Sequence, residues 1–360
     1  MKKSLLALAV LGAYAGVASA QSSVTLYGTV DLSARYVKND GSDRRYSLSQ
    51  DGINSSQLGF KGTEDLGGGL KAEFVLLAGV NADVGTANGK FFNRKATVAL
   101  KGNFGEIRLG RDYVPTFWND TIFDAFGTNG LGDSSHVKQI LPTTSASATG
   151  NFVRADNTIG YFLPSNIGGV YGQAMVAASE GGATNLGRLY SGRIGFAAGP
   201  FDIAGSYGNQ RIDSLPAAPS QKTYGVGASY DLGVVKLMGY FDRDTLTYTG
   251  TDLKENRYSF SAVVPVGQGE IHAGYDYSKL NNNGTSTKID AFAVGYVYNL
   301  SKRTAVYATA ARLNNKNGTR NSVAGINATL AGSAQTAAPS GTAGSSLKSS
   351  GAEFGLRHFF

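Results

Sequence analysis

Apolar and polar residues alternate one by one along most of the chain. In "VTLYGTVDLSARY", Val24, Leu26, Gly28, Val30, Leu32, Ala34 and Tyr36 share one face of an extended strand, and Thr25, Tyr27, Thr29, Asp31, Ser33 and Arg35 share the other. "RYSFSAVV" sets Tyr258, Phe260, Ala262 and Val264 against Arg257, Ser259 and Ser261. "EIHAGYDYSK" sets Ile271, Ala273, Tyr275 and Tyr277 against Glu270, His272, Gly274 and Asp276. A period of two marks strands with one apolar and one polar face.

A soluble sandwich would alternate too, but its strands run about 5–6 residues and its apolar face meets a second sheet. Here many runs last about 9–12 residues, the length that crosses a bilayer at a tilt. Tyr and Phe recur near the ends of the apolar faces, where membrane–water girdles lie. The opposite faces are rich in Gly, Ser and Thr, which suits a wet lumen. An open sheet edge in lipid would leave backbone groups unpaired, so the sheet has to close. The pattern therefore predicts an all-β fold, a 16-stranded antiparallel transmembrane β-barrel. Its strands are expected at 23–37, 53–64, 69–82, 90–101, 105–112, 151–162, 170–180, 188–198, 201–210, 220–231, 234–243, 255–265, 269–279, 288–299, 303–314 and 350–360, of which 303–314 does not alternate cleanly. Short turns such as "DLGGG", "GNFG" and "NLSK" alternate with longer polar loops such as "NDGSDRRYSLSQ" and "LNNNGTST". Such alternation is expected when one barrel end faces the periplasm and the other the exterior.

Two loops are longer still. Residues 113–150 hold Phe117, Trp118, Ile122, Phe123 and Phe126 close together, which predicts a third loop folded inward against the barrel wall. The small, low-complexity stretch near 331–350 reads as an exposed, mobile external loop. A sixteen-stranded wall is wide enough for a water channel. An infolded loop would narrow it to a constriction where charges select ions by sign. The candidate constriction residues are Arg35 on the first strand, Arg108 or Arg111 before the long loop and Arg154 after it, with Asp120 and Asp124 on the loop. Strict alternation from Ile107 and Leu109 points Arg108 inward and Arg111 outward, unless a bulge shifts the phase.

The N-terminus adds a destination. "MKKSLLALAVLGAYAGVASA" has Lys2 and Lys3, an apolar run from Leu5 to Leu11, and Ala18-Ser19-Ala20 before Gln21. This is the build of a signal peptide over residues 1–20, leaving 21–360 as a single barrel domain. The apolar run is shorter than the roughly 20 residues of a spanning helix. Loss of the two leader lysines lowers the formal charge from +7 to +5. With the wall arginines, that mild excess leads to an expected weak anion preference, since loop charges beyond roughly 8–10 Å are screened.

Reactive chemistry is sparse. There is no Cys, which excludes disulfides and thiol nucleophiles. The three histidines, His136, His272 and His358, have no spacing that brings them to a Ser and an Asp. Zinc-protease, EF-hand and hydrolase motifs are absent, and "GTANGKF" lacks phosphate-loop spacing. No enzyme activity, cofactor, metal site or nucleic-acid partner is expected.

Several stretches together resemble a known family. "SSVTLYGTVD", "QLGFKGTEDLGGGLKAEF", "FNRKATVALKGNFGEIRLGRDYVP", "RADNTIGYFLP", "YNLSKRTAVYATAARLNN" and the terminal "GLRHFF" resemble, in order and spacing, the general trimeric porins of Gram-negative outer membranes, particularly the betaproteobacterial type. The resemblance spans nearly the full chain. It implies a passive channel for small hydrophilic solutes and ions, with Arg111 and Arg154 as wall arginines and Asp124 near the loop tip. It also implies a homotrimer, contact with outer-membrane lipid and lipopolysaccharide, and a final strand whose Phe360 is read by the barrel assembly machinery, with Leu356 and His358 on the same face. Gln57 stands where the family usually has Arg, and Val75 and Leu77 stand where it often has Gln and Glu. Fewer wall charges would weaken the field across the opening. Two alternatives stay open: a substrate-specific channel, and a plugged barrel acting as surface receptor or adhesin.

Overall fold

The computed structural model describes residues 23–87, 89–140, 153–178, 188–211, 220–248, 251–282, 284–325 and 346–360. The leader peptide, residues 141–150 of the long loop and the 331–345 part of the low-complexity loop lie outside them.

Eighteen strands form one antiparallel sheet. They are β1 (Ser23–Asn39), β2 (Arg45–Gln50), β3 (Gln57–Gly67), β4 (Leu70–Asn81), β5 (Thr86–Ala87), β6 (Lys95–Gly102), β7 (Gly105–Tyr113), β8 (Arg154–Phe162), β9 (Val170–Ala177), β10 (Leu189–Ala198), β11 (Phe201–Arg211), β12 (Ser220–Asp231), β13 (Lys236–Tyr248), β14 (Thr251–Val266), β15 (Gly269–Asn282), β16 (Thr285–Asn299), β17 (Thr304–Lys316) and β18 (Ser346–Phe359). β1 pairs with β3, β3 with β4 and β4 with β6, the strands from β6 to β18 pair in chain order, and β18 pairs with β1 to close the sheet, while β2 adds to β1 and β5 to β4. Setting aside the short β2 and β5 leaves a closed barrel of sixteen strands.

The surface is inverted relative to a water-soluble protein. Outward Val24, Phe260 and Phe354 are 66%, 63% and 62% exposed, while inward Asp31, Ser33 and Ser278 are 0%, 1% and 0% exposed. Only a wall with lipid outside and a polar interior makes that arrangement favourable. No helix among the described residues is long and apolar enough to cross a membrane, so the crossing is made by strands.

Sequence and structure differ where polarity and backbone pairing part company. The strand expected at 53–64 begins only at Gln57, because residues 51–56 turn inward. The Asp31 carboxylate accepts the backbone N–H groups of Gly52, Ile53 and Asn54 at 3.3, 3.0 and 2.7 Å, and the Tyr307 hydroxyl donates to it as well. β1 is therefore paired with β3 along its first half and with β2 along its second. The alternation pattern alone places β2 within a loop. β13 runs past residue 243 to Tyr248, and β14 starts at Thr251 rather than 255, because ladder hydrogen bonds continue and Leu246 and Leu253 pack with Ile140 of the loop, although most residues there are polar. β17 alternates after all, with Ala305, Tyr307, Thr309, Ala311 and Leu313 turned inward and buried.

Candidate functional site

The long loop leaves the wall at a bulge. The β7–β8 register shifts between Gly110 and Asp112, and Gly110 adopts φ 121°, where a Cβ would strike the Ala96 carbonyl oxygen. The Val114 N–H bonds to the Val153 carbonyl at 3.0 Å, closing the neck of the loop. Pro115 then opens helix α1 (Pro115–Ile122), a position where its missing N–H costs nothing.

Apolar side chains carry the loop along the inside of the wall. Phe117 packs on a cluster of Val114, Ala155, Met175, Ala177 and Leu189. Phe123 is fully buried against Ala204 and Tyr240, its ring filling the space left by Gly227. Phe126 joins Leu131, Val137, Ile289 and Leu313 across the barrel. Burying such rings in the lumen is what the sequence predicts for this loop.

Charges then pin the loop in place. Asp120 pairs with Arg257 of β14 at 2.6 Å, and Arg257 pairs with Asp242 of β13 at 2.7 Å. Lys138 lies 2.9 Å from Asp242 and 2.8 Å from Asp244. Burial pulls the Lys138 ammonium down, but the two aspartates outweigh it and hold it above the usual lysine range. Glu255 accepts the N–H groups of Gln139 and Ile140 at 2.9 and 2.7 Å, and Glu353 accepts that of Leu131 at 3.2 Å.

This pinning alters the reading of the acidic candidates. Asp120, at 3% exposure, spends its charge on Arg257. Asp124, at 7%, accepts the N–H groups of Phe126, Thr128 and Ser134 and organises the loop's own turn. Burial, aided by Asp133, pushes its carboxyl up to about 6. The sequence expectation puts both carboxylates at the constriction, and here both are buried and held by protein partners. Asp120 is neutralised by a wall arginine, and Asp124 is enclosed by the backbone of its own turn.

Most of the arginines named from sequence are likewise paired. Arg35 points inward and meets Glu353 at 2.7 Å. Arg108 points inward and meets Glu106 and Asp112. Arg111 lies opposite Ala96 in the β6 register, on the parity of outward Leu109. It bonds the Asn93 carbonyl at 2.7 Å and Asp156 at 2.5 Å. The Arg111 side chain is only 15% exposed and its charge acts on Arg154, so it stands beside the Tyr113 cluster. Gln57 is half-buried, opposite Thr29 and Gly79 at the start of β3. Val75 and Leu77 share the inward parity of Glu73, and Leu77 is buried.

The remaining basic centre is built from three strand ends. Arg94 and Arg154 donate to the Tyr113 hydroxyl at 2.9 and 2.8 Å, and the Arg154 guanidinium stacks 4.4 Å from the Tyr113 ring centroid. Tyr113 in turn stacks on Phe117 and leans on Trp118 of α1. Among the described residues no carboxylate stands within ion-pair distance of Arg94. Arg94 does act on Asp51 in the inward 51–56 turn, whose carboxyl burial raises above its usual range against the pull of Ser56 and Arg94. Sequence reasoning missed Arg94. A strand from residue 90 puts it on the outward parity of Ala96 and Val98, whereas β6 begins only at Lys95.

A closed sixteen-stranded membrane barrel with an infolded loop and a polar lumen is the architecture of an outer-membrane channel. A family model for Gram-negative porins matches residues 7–318. The chain is 40% identical to outer membrane porin protein 32 of Delftia acidovorans over the whole of both chains. It is 31% identical to an outer membrane porin protein of Bordetella pertussis, over 86% of this chain and 93% of that one. The solved anion-selective porin from Comamonas acidovorans superposes with a TM-score of 0.81 at 36% identity, covering 94% of this chain and all of the other. The chain belongs to the Gram-negative porin family, and it sits in the outer membrane as a passive diffusion channel.

Proposed function

We propose that the channel passes small hydrophilic solutes and ions with a weak preference for anions, and that its constriction is set by Arg94 and Arg154 around Tyr113. One observation carries this reading: these two guanidiniums share a neutral hydroxyl, while Asp120 and Asp124 are turned into the wall and the loop. A fixed positive centre in a narrow, partly desolvated opening attracts anions far more strongly than the same charge in bulk water. The anion-selective porin among the solved relatives supports the sign. Residues 1–20 serve as the export signal, the barrel assembles as a homotrimer, and the assembly machinery reads Leu356, His358 and Phe360. The protein performs no covalent chemistry and takes no cofactor.

Single-channel recording in a salt gradient tests the reading. A reversal potential of anion-selective sign is expected, moving towards the cation side in Arg94→Ala and Arg154→Ala. A cation-selective wild type, or variants with unchanged potential, would overturn it. A second reading, a substrate-specific channel, draws on buried Leu77 in place of a polar wall residue. Flux that saturates with solute concentration would favour it.

A further inference from the structure

Trp118 is the chain's single tryptophan, and it stands beside the basic centre. Helix α1 turns Asn119 and Asp120 into the wall, where Asn119 bonds the Ala204 carbonyl at 3.2 Å and Asp120 meets Arg257 at 2.6 Å. Trp118 and Thr121, three residues apart, share another face of the helix that stays half-buried. The indole leans on the Tyr113 ring, with centroids 5.1 Å apart at 50°, and Tyr113 is its one ring partner among the described residues. An indole N–H finds an acceptor when it is buried. That of Trp118 bonds to none of the described residues, so it meets lumen water or a passing solute. Tyr113, by contrast, is already engaged. Phe117 stacks on its ring, the Arg154 guanidinium lies over it, and its hydroxyl accepts from Arg94 and Arg154.

The wall beside Arg94 is apolar where a water-filled lumen calls for polar side chains. The Arg94 backbone N–H donates to the Leu77 carbonyl at 3.1 Å. Leu77 and Val75 have the inward parity of Glu73 on β4, Leu77 buried and Val75 half-buried. Arg94 thus joins an apolar patch of the wall to the aromatic neck of the loop. Its Nη2 donates to the Tyr113 hydroxyl, and its Nη1 bonds to none of the described residues, which leaves donors for an incoming anion.

We propose that this site favours aromatic carboxylates among the anions the channel passes, and that Trp118 determines the preference. The carboxylate meets Arg94, whose planar fork can bond two oxygens at once. The ring lies against the indole, near the apolar patch of Val75 and Leu77. An aliphatic anion gains the guanidinium without the stack, and a neutral arene gains the stack without the charge. The inference rests on the reading that Arg94 and Arg154 set the constriction, and it names the solute class that this constriction suits.

Because Trp118 is the only tryptophan, indole emission reports on this site alone. Benzoate is expected to change the Trp118 emission of the purified channel saturably, and to block single-channel current over the same concentrations. It should bind about fivefold more tightly than cyclohexanecarboxylate, which resembles it in charge and size but cannot stack. Trp118→Leu should bring the two acids to equal block, Trp118→Phe should keep benzoate ahead, and Arg94→Ala should weaken both. Equal block of wild type by the two acids, Trp118 emission unmoved while benzoate blocks, or benzyl alcohol acting as well as benzoate would overturn the proposal. A conducting Trp118→Leu channel that still prefers benzoate would do the same. An anion-selective wild type that does not distinguish the acids sinks this inference alone. A cation-selective wild type that still prefers benzoate, with Trp118 emission responding, sinks the anion reading alone.

Discussion

Arg257 is the residue on which the loop's position turns. It is wholly buried, and its Nη2 donates to Asp120 of the loop and Asp242 of the wall. Removing one member of a buried ion pair costs about 3–5 kcal/mol, because the partners stay buried and unpaired. Arg257→Met is therefore expected to keep the barrel but release residues 114–140, seen as new protease cleavage in the loop and noisier single-channel currents. His136 gives the loop a pH dependence. Burial, opposed by Asp133, keeps its imidazole below the usual 6.5 in the folded state, and its Nδ1 is buried without a hydrogen-bond partner. As pH falls below 6.5 the released state takes up the proton first, so the stability present above 6.5 is lost on acidification. Asp124 works the other way: with its carboxyl raised to about 6, its contribution is fully present below about 4 and lost as pH rises through 6. His136→Asn should thus remove the acid-destabilising contribution and leave that of Asp124, so that, going from pH 7 to pH 5, loop cleavage of the variant shifts towards less cleavage relative to wild type.

Among the elements, the β7 bulge decides where the loop begins and where Tyr113 points. Its geometry demands a residue that tolerates φ 121° and carries no Cβ against the Ala96 carbonyl. Gly110→Ala is expected to cut the yield of folded, heat-resistant barrel severalfold on an unboiled gel. Gly192→Ala, where the nearest atom to a new Cβ is the Gln173 carbonyl oxygen at an ordinary 3.5 Å, should leave that yield unchanged. The rest of the wall follows its alternation closely. Strand number, inward and outward faces and the infolded aromatic loop were readable because each residue's polarity reports the medium on its side of the wall. Strand ends were less readable. β2 offers only Tyr46 and Leu48 between polar neighbours, and the extension of β13 only Leu246, which packs on Ile140 and Leu280, too few apolar positions to announce a strand.

At the scale of the whole molecule, the barrel closes between its two ends. The Phe360 N–H bonds the Gly28 carbonyl and the Gly28 N–H bonds the Phe360 carbonyl, each at 3.1 Å, with the Phe360 ring laid over Gly28. Leu356 faces outward, and the His358 ring nitrogen meets the Thr304 hydroxyl at 3.0 Å. A chain ending on two aromatic rings thus has a seam to finish. Deleting Phe360 is expected to lower the amount of barrel in the outer membrane severalfold while in vitro refolding falls less. Equal losses in both would assign the residue to seam closure alone.

The sequence by itself determined the solvent on each face of each strand, and with it the barrel, its membrane setting and the inward course of the third loop. These are local properties, written every second residue. Only the tertiary structure decided which charges remain open to the lumen. Arg35 meets Glu353, and Asp120 meets Arg257, across most of the chain's length or the width of the barrel. Arg111 is claimed by Asp156, and Arg94 is freed by a strand that starts late. Coulombic pairing depends on separations of a few ångströms, and register and loop packing set those separations.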